Sequence, residues 1–191
     1  VPSRNDEAAA KSIFFAAKYG SVAAIKKHLA ADVDVNGKNK NGHTALHFAA
    51  SAGQVDAVAA LIDAKADPAL ADKAKRTALH YAVSNKRQAT ATLLLEKGAP
   101  VNAEDKNGKT PLDYATGKSC AAIAELLRSK GGKTKRELAA AENIFAAAEV
   151  GDVEAIKKLL EAGTDVNAPN KNGYTPLHLE VRNGQAEAVV L

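Results

Sequence analysis

Apolar and polar positions along this chain follow a helical period, and that pattern itself recurs at a longer one. Val22, Ile25 and Leu29 fall on one face of a stretch whose other face carries Lys26, the 3.6-residue spacing of an amphipathic helix. Just before it, Ile13-Phe14-Phe15-Ala16-Ala17-Lys18-Tyr19-Gly20 predicts a shorter helix closed by glycine, which takes positive φ without a Cβ penalty. The pair then recurs behind a polar turn. Asn41-Gly42-His43-Thr44-Ala45-Leu46-His47-Phe48-Ala49-Ala50 is the first such stretch. Lys75-Arg76-Thr77-Ala78-Leu79-His80-Tyr81-Ala82, Asn107-Gly108-Lys109-Thr110-Pro111-Leu112-Asp113-Tyr114-Ala115 and Asn172-Gly173-Tyr174-Thr175-Pro176-Leu177-His178 follow it. The shared leucine stands at 46, 79, 112 and 177, two equal steps of about 33 residues and then one nearly twice as long. That last step leaves room for one more unit that lacks its turn.

Self-similarity at such a period is the mark of a solenoid in which each unit packs on its neighbours. The Thr-(Pro/Ala)-Leu-His pattern resembles the ankyrin repeat. The segments Leu94–Ala103 and Leu159–Ala168, both rich in Leu and ending Val-Asn-Ala, are similar to the second helix of that family's repeat and the loop after it. The resemblance covers the chain from about Ser12 to Leu191 and implies an all-α solenoid of helix-turn-helix units with short β-hairpin fingers.

Taken in order, Ile13 lies one such step before Leu46, in phase but without a finger, so the first unit reads as an N-terminal cap. Three full units follow. In the third, Lys86 replaces the glycine that ends the other first helices, and a less regular end is expected there. The fourth closes at Gly131-Gly132, after which Arg128–Arg136 reads as a solvated loop between arrays. Residues 13–47 and 144–178 share 22 identities in 35 positions, and Ile144 again lacks a finger. The expectation is therefore two consecutive arrays, 1–136 and 137–191, the second truncated. Ile144 follows Leu112 at one position short of a full step. That spacing predicts continuous stacking of the second array on the first, a hinge at Gly131-Gly132 being the alternative. The missing initiator Met and a C-terminus midway through an expected helix read as a trimmed chain.

Composition changes the picture in one respect. The 191 residues are 46% hydrophobic but only 4% aromatic, without Trp or Met and rich in Ala, which suits closely stacked helices. The single Cys120 excludes an internal disulfide and has no metal-ligand spacing. It reads as a small residue on a packed helix. No apolar run is long enough to span a membrane.

Candidate chemistry is sparse. Thr44, Thr77, Thr110 and Thr175 stand at N-cap positions, and Pro111 and Pro176 suit the first helical position. The resemblance assigns His47, His80 and His178 to bonding neighbouring backbone. A metal shared between them is disfavoured, because units stack roughly 8–10 Å apart while Zn–N bonds are near 2 Å. Gly131-Gly132-Lys133-Thr134 lacks the upstream glycine and strand of a phosphate-binding loop. No nucleophile, base or paired-carboxylate set stands out, so neither an enzyme nor a cofactor is expected.

Charge is +3 over 1–40, −2 over 41–73, +3 over 74–106, +4 over 107–138, −3 over 139–171 and −1 over 172–191. Cations gather at the finger tips. The expected function is protein–protein binding by an adaptor or scaffold, the partner possibly acidic. By resemblance its contacts come from Lys40, Asn41, His43, Ser51, Ala52, Lys73, Arg76, Ser84, Asn85, Lys106, Lys109 and Lys118. In the second array they come from Lys171, Tyr174, Arg182 and Asn183, with Tyr174 the expected anchor. Thr44, Leu46, His47 and Ala49 are expected to be scaffold. The alternatives are a passive spacer array, or a non-catalytic part of a larger protein such as a secreted effector or an enzyme. A monomer in the cytoplasm is expected. Nucleic acid is disfavoured because exposed aromatics for stacking are few.

Overall fold

A computed structural model describes residues 12–115 and 120–184. The chain divides into two compact units, Val1–Gly132 and Lys133–Leu191.

The first unit is built from pairs of short helices. They are α1 (Ile13–Tyr19) with α2 (Val22–Ala30), α3 (Ala45–Ala52) with α4 (Val55–Asp63), α5 (Ala78–Ser84) with α6 (Gln88–Glu96), and α7 (Pro111–Tyr114) with α8 (Ala121–Ser129). First helices stack in the order α1, α3, α5, α7 and second helices in the order α2, α4, α6, α8. The repeat explains the choice of residues. Alanines at 16, 17, 49, 50 and 82 are fully buried where first helices meet, and their small side chains permit close approach. Leucines fill the space between layers: Leu46, Leu61, Leu79, Leu94 and Leu127 are all at most 1% exposed. Each such burial contributes about 1.5–3 kcal/mol. Cys120 is buried at the start of α8.

The second unit contains α9 (Lys135–Ala140), α10 (Ile144–Val150), α11 (Val153–Glu161) and α12 (Pro176–Asn183), with α10 packed against each of the other three. Ala140, Ala147 and Ile156 form its small core. Helix α9 corrects the expectation of a loop over Arg128–Arg136. Arg128 and Ser129 still belong to α8, and Thr134 caps a new helix that begins at Lys135. The reason is a reciprocal capping box. The Thr134 N–H donates to Glu137 Oε2 at 2.7 Å, and the Glu137 N–H donates to Thr134 Oγ1 at 3.2 Å.

The end at Lys86 is also more regular than expected. Lys86 takes the left-handed conformation, φ 59°, that Gly53 takes at 81°. The Arg87 N–H donates to Ala82 O as the Gln54 N–H does to Ala49 O. Gly131 and Gly132 each take part in a hydrogen bond. The Gly132 N–H donates to Leu127 O at 2.8 Å, and Gly131 O accepts Asn102 Nδ2 at 3.0 Å.

The fingers are very short hairpin-like turns. Among the described residues the only β pairing is an isolated bridge, Ala71 with Thr77. In each finger one Asn or Asp takes over the turn: Oδ1 of Asn39, Asp72, Asp105 and Asn170 accepts the N–H groups two and four positions on, at 2.7–3.1 Å. Amides that a longer ladder would use are spent on that side chain. At Gly42, φ is 83° and a Cβ would come within 2.8 Å of the Lys73 nitrogen. Only glycine fits there without displacing the next finger.

The candidate binding surface

Fingers of the first unit are sewn together in sequence. The Lys73 N–H donates to Asn41 O at 3.0 Å and the Lys106 N–H to Ala74 O at 2.9 Å. Beneath them the histidines join cap to neighbour. His47 Nδ1 accepts the Thr44 N–H at 3.0 Å, which leaves Nε2 to donate to Arg76 O at 2.9 Å. His80 does the same between Thr77 and Lys109 O, at 3.1 and 3.2 Å. Burial lowers both imidazole pKa values below the ordinary histidine value. Asp113 holds the Thr110 N–H at 2.9 Å in the third copy, and His178 caps Thr175 at 3.1 Å. These histidines are thus structural. Among the described residues no three His, Cys, Asp or Glu side chains are arranged to hold a metal, and no helix is long and apolar enough to cross a membrane.

A second network escaped sequence reasoning. Tyr81 OH donates to Asp72 Oδ2 at 2.7 Å, and Tyr114 OH to Asp105 Oδ2 at 2.6 Å. Into each pair reaches a cationic or polar group from the finger before. His43 Nε2 lies 3.0 Å from Tyr81 OH and 3.1 Å from Asp72 Oδ2. Arg76 sits over the Tyr114 ring, its Nε 3.9 Å from Asp105 Oδ2. Burial would raise the Asp72 carboxyl, but the Tyr81 hydroxyl, the Arg76 and Ala74 amides and nearby His43 outweigh it and hold it below the usual value. Asp105 is lowered likewise, burial being outweighed by Tyr114 and the Lys109 and Asn107 amides. Burial first, and then the bond to Asp72, push Tyr81 up to about 12.

The signal was present in the sequence as a covariation between units. Where the finger carries Asp, a tyrosine follows at the ninth position after it. Where it carries Asn39 or Asn170, that position holds Phe48 or Leu179. An Asn supplies the turn acceptor and, in place of a second oxygen, an NH2 group that calls for no donor. A carboxylate has a second oxygen that needs a donor when buried, and Tyr provides it.

The expected contact residues divide accordingly. Lys40, Asn41, Lys73, Lys106 and Lys109 are exposed at the fingers. His43 and Arg76 are half-buried and serve the fold as well, so the expected assignment of His43 to recognition alone does not describe its surroundings. Ser51 Oγ accepts Asn85 Nδ2 at 3.3 Å, and Ser84 Oγ donates to Tyr81 O at 3.3 Å. Ala52 is half-buried at the end of α3. Lys118 lies outside the described residues. In the second unit Lys171 is exposed and Tyr174 is 44% exposed. Arg182 lies 3.8 Å from Glu149 Oε1, and Asn183 Nδ2 donates to Glu149 O at 3.4 Å. Tyr174, Phe145, Glu149 and Arg182 line a hollow of about 290 Å³. Ala146 stands there where the first unit has Phe15, itself 44% exposed and stacked 6.4 Å from Tyr19. Phe15, Lys18 and Tyr19 occupy the register of Phe48, Ser51 and Ala52 one unit earlier, and sequence reading left Phe15 and Lys18 out of the surface.

Stacked helix pairs, Thr caps on finger-bearing helices and side-chain-closed fingers define a helical repeat protein, and in the first unit the turns lie side by side. Comparison with known families gives the same answer more narrowly. Residues 13–105 and 75–137 match the model described as ankyrin repeats (3 copies), and 144–191 match that described as ankyrin repeats (many copies). The chain belongs to the ankyrin repeat family. It is similar to the ankyrin repeat domain-containing protein oryK of Aspergillus oryzae, with 48% identity over 46 residues. That stretch is 24% of this chain and 7% of the relative's length, so the chain spans a small part of the protein it matches. Ankyrin repeats are in general protein–protein interaction modules.

Proposed function

We propose that the first unit's finger tips and the outward ends of its first helices form one binding face that takes an acidic protein partner, and that the chain acts by binding and not by catalysis. The observation that carries this is how the finger acids are used. Asp72 and Asp105 are buried, 9% and 4% exposed, and their oxygens are occupied inside the fold. Lys40, Lys73, Lys75, Lys106 and Lys109 remain exposed, and among the described residues none is ion-paired. Among the described residues, exposed Glu104 is the one acid beside these tips that stays open to solvent. Residues 1–132 carry 19 Lys and Arg against 13 Asp and Glu, a formal +6, whereas 133–191 carry 7 against 9, a formal −2. Cations so arranged steer and select an oppositely charged partner.

Affinity capture from native extract, with the wild type and with K40E/K73E/K106E, tests the reading. A partner retained at low salt is expected to be lost with the triple variant and to be released by salt. Retention that ignores both changes sinks the acidic-face reading. A passive spacer array would retain nothing with either protein.

A further inference from the structure

Resting on that reading, we infer that the first unit's finger-tip lysines form a ruler for an extended acidic segment in the polyproline II conformation, with Asp or Glu at every third residue. Lys40, Lys73 and Lys106 each follow directly on the residue that closes the turn, Asn39, Asp72 or Asp105. They therefore occupy one position of three equivalent fingers.

The stitching of the fingers sets their separation. Each finger is two short arms joined by one backbone bond: the Asn39 N–H to His43 O, the Asp72 N–H to Arg76 O and the Asp105 N–H to Lys109 O, all 2.9 Å. Each finger is joined to the next by the Lys73 and Lys106 amides already described. One unit is thus two hydrogen-bonded chain spacings of about 4.8 Å, or roughly 9.6 Å. The helix layer gives an independent figure of roughly 8–10 Å. Because the lysine backbone nitrogens at 73 and 106 are themselves the stitching atoms, the interval is built into the fold while the ammonium groups stay exposed.

A ligand must present carboxylates at that interval and on one side. Polyproline II rises about 3.1 Å per residue with three residues per turn, so every third side chain returns to the same face after about 9.3 Å. A β-strand covers a similar distance in three residues, but side chains three apart point to opposite faces. A helix returns to the same face after about seven residues and about 10.5 Å, a near match that the test must separate. The inner row at the same fingers, His43, Arg76 and Lys109, does not compete for the role, since His43 and Arg76 face Asp72 and Asp105.

The test uses labelled synthetic peptides of equal length, each with three Glu in all and neutral residues filling the rest, measured by fluorescence polarisation against the intact chain. One carries Glu at every third residue with Pro between, one has Glu at every second residue, and one is a helix-forming peptide with Glu at every seventh. A single-stranded oligonucleotide of similar charge is the fourth probe. The period-three peptide is expected to bind at least about fivefold more tightly than the others. Each of K40Q, K73Q and K106Q is expected to weaken it about two- to fivefold, the strength of one exposed ion pair, and the triple variant to erase the preference. Equal, salt-sensitive binding of all acidic peptides overturns the ruler and leaves the acidic-partner reading standing. Preference for the helical peptide or the oligonucleotide overturns it in favour of that ligand. If no acidic peptide binds, the ruler falls. The acidic-partner reading then falls with it only when capture by the native partner also ignores salt and K40E/K73E/K106E.

Discussion

The pairing of Asp72 with Tyr81 yields a double-mutant cycle whose arms can be sized from the structure. Asp72→Asn keeps Oδ1 for the Ala74 and Arg76 amides at 2.7 and 2.9 Å, as Asn39 and Asn170 do in their own fingers. It removes the anionic oxygen that accepts Tyr81 OH and faces His43 Nε2. A hydrogen bond to a charged group is worth about 1.5–3 kcal/mol, so this variant should lose roughly 2 kcal/mol. Tyr81→Phe removes the donor and leaves the buried carboxylate with His43, for about 1.5 kcal/mol by the same principle. The double variant recreates the Asn–Phe pairing of Asn39 and Phe48. It should cost little more than Asp72→Asn alone, giving a coupling of about 1.5 kcal/mol. Urea unfolding with an unchanged slope measures all three. Single effects that add within about 0.5 kcal/mol would refute the pairing. Acid supplies a second readout. The folded pKa of Asp72 is lowered, so its contribution is present above about 3.9 and lost as pH falls through the folded value. Wild type and Asp72→Asn should therefore converge in acid. Tyr81 is raised to about 12, so its contribution, complete below about 10, is lost as pH rises through that folded value. Tyr81→Phe should lack that alkaline loss.

Three smaller perturbations test other parts of the fold. Lys75 holds φ 59° where the neighbouring fingers have Gly42 and Gly108; Lys75→Gly should raise stability by about 0.5–1 kcal/mol, and a lower midpoint in thermal unfolding would contradict this. Thr90 is 1% exposed and its Oγ1 has no hydrogen-bond partner among the described residues; Thr90→Val should stabilise by about 1 kcal/mol in urea titration. His47 and His80 have lowered folded pKa values, so their contribution is complete above about 6.5 and is lost as pH falls through the folded values. His47→Gln with His80→Gln keeps an acceptor and a donor without titrating, and should flatten stability against pH below about 6.5.

Much of the fold was legible because its signals are local. The regular leucine ruler, the Thr caps and the buried alanines each need only a few neighbouring residues to be read. Helix α9 was equally local, yet the basic run around Thr134-Lys135-Arg136 obscured the cap that Thr134 makes with Glu137. Lys86 was misjudged because the expectation weighed only the intrinsic cost of positive φ. That cost is about 1–2 kcal/mol, small enough for the packed turn around Lys86 to hold it in place. The Asp72 and Asp105 networks were illegible for another reason. The groups that reach them come from the preceding finger, His43 to Asp72 and Arg76 to Asp105, a separation that no helical or strand period reports. Counting only the cations at the finger tips missed that Asp72 and Asp105 are drawn into the fold and held there by Tyr81 and Tyr114.

The Asn and Asp fingers also carry an instruction about order. In the sequence no Thr-(Pro/Ala)-Leu-His stretch stands one step before those that follow Asn39 and Asn170, whereas Asp72 and Asp105 each follow a finger that offers His43 or Arg76. An Asp finger is thus a socket and an Asn finger a plain end. Copying the Asp72 unit in tandem during gene duplication would reproduce a plug and its socket at every join. Moving the Asn39 unit to the interior would set the preceding plug against an amide. A copied Asp72 unit would thus bring a partner for its own second carboxylate oxygen, which a copied Asn39 unit would not.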